Sequence, residues 1–172
     1  RIPADRMIGE EGTGFATAMK TPSTPPASPE RTKSKAPQQK PPSAPQAAPA
    51  GTPAAQVLAL TNAERSKAGC GPVTADNRLA RAAQLHSEDM SANDYFDHTS
   101  QDGRSFADRA KAQGYPSPGA ENIARGQSSA ASVMDAWMNS PGHRANILNC
   151  DLKTMGVGVT TNDWTWTQVF GF

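Results

Sequence analysis

Cysteine is nearly absent: the 172 residues contain only Cys70 and Cys150. Neither stands in the Cys-x-x-Cys spacing of a zinc or redox motif, which removes the commonest cysteine chemistries. A pair placed one toward each end of a small domain favours a single disulfide, with two buried thiols as the alternative. A bridge would imply an oxidising compartment and hence export. Aromatics are scarce, at 6% of the chain, so a core must be organised around few rings. No apolar run approaches the roughly 18–20 residues that span a bilayer, and a transmembrane segment is not expected. Charge is balanced, with 17 Lys/Arg against 16 Asp/Glu. Residues 1–53 hold seven against four and residues 54–172 ten against twelve. Neither part has the clustered basic face that nucleic acid requires. The sequence opens on Arg1 without the charged start, apolar core and cleavage site of a leader, so a signal peptide is expected to be removed or to lie outside this fragment.

What is present divides the chain in three. Residues 1–20 contain Ile2-Pro-Ala-Asp-Arg-Met-Ile-Gly-Glu-Glu-Gly-Thr-Gly-Phe15, which resembles a linking stretch of acyl-CoA dehydrogenases. The likeness includes none of that family's flavin site or catalytic base, and the segment is read as a non-domain remnant too short to bury a core. Residues 21–53 are Pro, Ala, Ser, Gln and Lys with no aromatic and no aliphatic larger than Ala. Such a stretch cannot offset its ordering entropy by burial, so it is expected to be a disordered tether rather than a Pro-rich ligand for a recognition module. Residues 54–172 are expected to fold.

Within that domain, Ala54–Ala68 carries Val57, Leu60 or Thr61, and Glu64 on helical spacing, with Gly69 placed to end the helix. Asp76 or Asn77 can cap a second helix in which Leu79, Ala82, Ala83, His86 and Met90 share a face, so His86 is expected to be a core histidine bonded to backbone. His98 follows an aromatic pair where a loop leaves this helix, a place from which a side chain can enter a cleft. Phe106, Arg109, Ala110 and Gln113 predict a short helix ended by Gly114 to Pro116. Gly119 to Ala124 predicts a small strand bearing Glu121, and Ser128 or Ser129 should cap the helix that carries Trp137. Pro141-Gly142 is expected to interrupt that helix and leave His143 on a turn, with Arg144–Leu148 beginning a new helix whose first turn favours anions. Met155–Thr160 alternates apolar residues with Gly and can lie flat under a helix, and Trp164–Phe170 returns as a strand with aromatics on one face. The pattern predicts an α+β domain.

The motifs Thr61-Asn-Ala-Glu-Arg65, Phe96-Asp-His98-Thr, Glu121-Asn-Ile-Ala, Ala136-Trp-Met-Asn-Ser-Pro-Gly-His143-Arg-Ala-Asn-Ile-Leu, Met155-Gly-Val-Gly-Val and Trp166-Thr-Gln-Val-Phe-Gly171 occur in this order between Val57 and Phe172. Together they resemble the CAP superfamily of cysteine-rich secretory, antigen 5 and pathogenesis-related 1 proteins, and most of all its bacterial SCP-like domains. The resemblance implies an α-β-α sandwich with a small antiparallel sheet between helices, and an extracellular place. It also implies a cleft with two histidines and two acids. Three of these fall on His98, Glu121 and His143; the second acid falls on Ser140, and Ala120 stands where the family has glycine. The missing carboxylate weakens any mechanism that needs two acids.

His98, His143 and Glu121 could hold a divalent ion such as zinc with an open water position, or form a hydrogen-bonded cluster without metal. The sequence has no Gly-x-Ser-x-Gly elbow and no His-Glu-x-x-His helix. The resemblance assigns the ligand cleft to His98, Glu121, Ser140 and His143, with His98, Glu121 and His143 the candidates for any catalysis. Asn62, Arg65 and Asn146 are expected to brace backbone, and Trp137, Trp164 and Trp166 to be core aromatics, Trp164 serving as a ligand platform only if exposed. The reading that results is a secreted binding module for a lipid, a sterol or a cell-wall polymer. A metal-assisted hydrolase and a structural wall protein are the alternatives.

Overall fold

A computed structural model describes residues 51–172; the readings of residues 1–20 and of most of the tether lie outside the described residues. Five helices and four strands follow one another as α1 (Pro53–Lys67), β1 (Thr74–Ala75), α2 (Asn77–Ala92), α3 (Phe106–Ala112), β2 (Pro118–Arg125), α4 (Ala130–Met138), α5 (Pro141–Ile147), β3 (Thr154–Thr160) and β4 (Thr165–Gly171). Side-chain caps set the helix starts. Thr52 accepts from Ala55 N, Asp76 from Arg78 N and Leu79 N, and Ser105 and Ser129 form reciprocal boxes with Asp108 and Ser132.

The sheet has the order β1-β3-β4-β2. β2, β4 and β3 are antiparallel, while the two-residue β1 adds a parallel edge to β3 that the sequence pattern does not announce. Alternation sorts the side chains into two cores. Met155, Val157, Trp166 and Phe170 join Val57 of α1, Trp137 of α4 and Ile147 of α5 on one face. Val169 joins Leu79, Ala82 and Ala83 of α2, Ala110 of α3 and Tyr115 on the other. The molecule is thus a three-layer α-β-α sandwich. Its closest approach is at β3, where a Cβ on Gly156 or Gly158 would lie 2.0 or 2.2 Å from the α2 backbone. Glycine there lets the helix rest on the strand itself.

Cys70 and Cys150 are bonded as a disulfide. Beside it, Arg65 is fully buried and donates to the carbonyls of Gly71, Ile147, Asn149 and Leu152. Burial without a carboxylate partner draws its pKa down. Asn62 holds both the N–H and the carbonyl of Val73. Both α1 residues brace backbone.

Two local expectations change. Pro141-Gly142 does not leave His143 on a turn: Pro141 opens α5, and His143 lies in its first turn. Proline suits that position because its missing N–H would have no helical partner there. α5 is seven residues long, so the helix behind that anion-favouring turn is short. Trp164 lies in the turn before β4 at φ 52, not in the strand, and stacks on Trp166 with ring centroids 6.1 Å apart. It is half-buried, so the condition for a ligand platform is not met.

Candidate functional site

β2 is an edge strand, and Glu121, one of the expected site residues, lies on it. Alternation sends Ala120, Asn122 and Ala124 toward α1 and α4, and Glu121 toward α3. The Glu121 side chain is 1% exposed, and each of its carboxylate oxygens is occupied. Oε1 accepts from Nδ1 of His98 at 2.9 Å, and Oε2 accepts from Nη2 of Arg109 at 2.7 Å. Arg109, 5% exposed, also donates from Nη1 to Ser100 Oγ and to the Arg104 carbonyl. A buried carboxylate is thus paired with a buried guanidinium, and the remaining oxygen orients an imidazole.

The His98 side chain is 54% exposed. Since Glu121 can only accept, Nδ1 carries the proton and Nε2 is the ring nitrogen left for solvent or ligand. The hydrogen bond to Glu121 raises the pKa of His98, against the opposing pull of burial and of Arg109. His98 is held by a loop anchored from below, where buried His86 bonds the carbonyl of Asp97 through Nε2 at 2.9 Å. His86 is therefore the core histidine that the pattern of α2 predicts, and burial lowers its pKa.

His143 reaches the same region from α5. It is half-buried, its Nδ1 has no hydrogen-bond partner, and its pKa is lowered first by burial and then by the charge of His98. Its carbonyl accepts from Asn122 Nδ2 at 3.2 Å. Asn146 Nδ2 donates to Asn122 Oδ1 and to the Glu121 carbonyl, and Asn122 donates to Gln168. This amide chain fastens α5 to the outer edge of β2, so Asn146 braces as expected and Asn122 and Gln168 join it. Ser140 stands at the N-cap of α5 without a side-chain capping bond. No hydrogen bond joins it to His98, Glu121 or Arg109 among the described residues.

The donor set does not fit a zinc ion. Among the described residues no three or more His, Cys, Asp and Glu side chains gather as metal ligands would. Both Glu121 oxygens are occupied, one by a cation. Arg109 is the site residue that the sequence pattern passes over as a helix-face residue. An arginine on the apolar face of a helix signals a buried partner, but not which one: Arg65 is satisfied by carbonyls alone, whereas Arg109 pairs with Glu121.

Several known proteins share this arrangement of helices and strands. The model of the CAP family, described as the cysteine-rich secretory protein family, matches residues 58–170. The chain is 45% identical over 117 residues to the uncharacterized protein YkwD of Bacillus subtilis strain 168, covering 67% of this chain and 45% of that protein. The crystal structure of an extracellular protein containing an SCP domain from Bacillus anthracis superposes with a TM-score of 0.66 at 36% identity, covering 69% of this chain and 40% of that one. An outer surface protein of Borrelia burgdorferi has the same fold, with a TM-score of 0.60 at 24% identity over 67% of this chain and 88% of that one. The chain spans less than half the length of the two Bacillus proteins. Among the described residues no helix is long and apolar enough to cross a membrane.

Proposed function

Because the chain belongs to the CAP family of cysteine-rich secretory proteins, we propose that its folded part is an extracellular binding module whose His98/His143 cleft recognises a polymer of the bacterial cell surface. The observation that carries this reading is the engagement of both Glu121 oxygens, one by Arg109 and one by His98, which fixes the presented edge of His98. A fixed imidazole beside the half-buried His143 suits hydroxyl and amide groups of a polar ligand. The apolar hollow beside Leu58, Ala80 and Met155 measures about 210 Å³, below the roughly 300–1,000 Å³ typical of pockets that engulf drug-sized molecules. The hollow lined by Met138, Pro141 and Leu148 is larger, about 370 Å³, but open to solvent, which suits a surface-read polymer better than an engulfed sterol or lipid. An extracellular place is supported by the Cys70–Cys150 bridge and by the extracellular relative.

A second reading draws on the same pair. An imidazole whose Nδ1 is fixed on a buried carboxylate presents Nε2 as a general base does. It would take a proton from a water attacking an amide or ester of the bound polymer.

Cosedimentation of the full chain with purified cell-wall sacculi tests both. Retention that falls about tenfold in His98→Ala and His143→Ala, the loss of one good polar contact each, supports the binding module. Soluble fragments released by the parent chain but not by these variants would replace it with the hydrolase. No retention, or retention indifferent to both substitutions, overturns the assignment of the cleft; indifferent retention leaves a wall protein held by other surfaces.

A further inference from the structure

A cavity of about 190 Å³ lies between α2, α3 and the loop before α3, with Arg109 in its wall. We propose that it is a second binding site, taking a short zwitterion: an amino acid or a dipeptide with both ends free. The helices supply unlike charges. From α2 come Leu85 and the carboxylate of Asp89; from α3 and the loop before it come Arg104, Arg109, Gln113 and the buried hydroxyl of Ser100. Asp89 is held by neutral donors only, the Tyr95 hydroxyl and Asn93 Nδ2, which orient it without cancelling its charge. Arg104 uses Nε on Asp102, both side chains being about half exposed, and its terminal nitrogens make no hydrogen bond among the described residues. The Gln113 carboxamide is equally unengaged among them.

A purely anionic ligand would meet Asp89, and a purely cationic one would meet the guanidinium groups of Arg104 and Arg109, each paired with one carboxylate, Asp102 and Glu121, but with N–H donors to spare among the described residues. A molecule with an ammonium at one end and a carboxylate at the other satisfies both, and Ala82 and Leu85 offer a patch for a small side chain between them. The volume matches this class, since it lies below the range of pockets for drug-sized ligands. The site also communicates with the cleft. Arg109 lines the cavity and holds Glu121, so a carboxylate drawn toward it offsets part of the positive field felt at His98. Binding therefore raises the pKa of His98.

Calorimetry and ¹H–¹⁵N NMR titration of the full chain with alanylalanine, its N-acetyl form and its C-terminal amide test the proposal. Saturable one-to-one binding is expected, with amide shifts centred on Leu85, Asp89 and Gln113. Each capped form and Arg104→Ala should weaken it about tenfold, as loss of a charge-assisted hydrogen bond implies. The His98 imidazole should titrate at higher pH with the dipeptide present. Absence of saturable binding, equal affinity for the capped forms, full affinity in Arg104→Ala, or shifts confined to His98 and His143 would each overturn it. None of these outcomes depends on whether the chain binds sacculi.

Discussion

Glu121 and Arg109 form a buried ion pair, 1% and 5% exposed, with His98 as the third member. Replacing the carboxylate by an amide keeps the shape and leaves a buried guanidinium without its counter-charge. Glu121→Gln should therefore destabilise the fold by about 3–5 kcal/mol, measured by urea unfolding, and should bring the His98 titration down toward that of an ordinary imidazole. The histidines also set opposite pH dependences. His98, whose folded pKa is raised, contributes stability that is complete below the ordinary imidazole range and is lost as pH rises through its folded value. His86 and His143, whose folded pKa values are lowered by burial, contribute stability present above the ordinary range and lost as pH falls through their folded values. Unfolding free energies across pH 4–9 should show His143→Ala flattening the limb below the ordinary imidazole range and His98→Ala flattening the limb just above it; a variant that leaves its own limb unchanged contradicts the assignment. In His98→Ala the loss of a neighbouring positive charge should raise the pKa of His143. The positions of His98, Glu121 and His143 could be singled out from short motifs, although the bond between His98 and Glu121 needed the fold. The pairing of Arg109 with Glu121 could not be read in advance, because it depends on how α3 turns against β2, twelve residues away.

At the scale of elements, the contact of α2 with β3 depends on the absence of two side chains. Gly158→Ala would place a Cβ 2.2 Å from Gln84 N, against helix backbone that cannot step aside, and a cost at or above the roughly 1–3 kcal/mol of ordinary overpacking is expected. Gly142→Ala is the contrasting case. Gly142 lies within α5 with open space at its Cβ, so alanine should stabilise by about 0.5–1 kcal/mol through helix propensity. Thermal or urea unfolding of the two variants reads both signs, and a Gly158→Ala protein as stable as the parent would refute the proposed packing. The alternation of glycine with apolar residues made this strand legible, as periodicity and caps made α1, α2 and α4 legible. β1 was not, since two residues are too few to show a period and Thr74-Ala75 is exposed. The start of α5 was misplaced because proline followed by glycine stops a helix in some contexts and opens one in others. Only the end of α4 at Met138 decides which.

Across the whole molecule, the Cys70–Cys150 bridge joins the segment after α1 to the segment after α5, across 80 residues of sequence. A pair so spaced could be recognised as a disulfide from sequence, but its neighbour could not: Arg65 ties the same two segments through the carbonyls of Gly71, Ile147, Asn149 and Leu152. The folded state therefore holds these strands of chain together by two means, and the bridge acts chiefly by restricting the unfolded chain. On the chain-entropy account a loop of this length contributes about 4 kcal/mol. The double variant Cys70→Ser, Cys150→Ser should lose roughly that much in urea unfolding. Its His98 should still titrate above an ordinary imidazole, because Arg109, Glu121 and His98 are held by α3, β2 and the loop after α2. A His98 titration that collapses to the ordinary value would mean that the bridge shapes the cleft directly. A loss below about 1 kcal/mol, far under the loop-closure figure, would mean that the unfolded chain is already compact without the bridge.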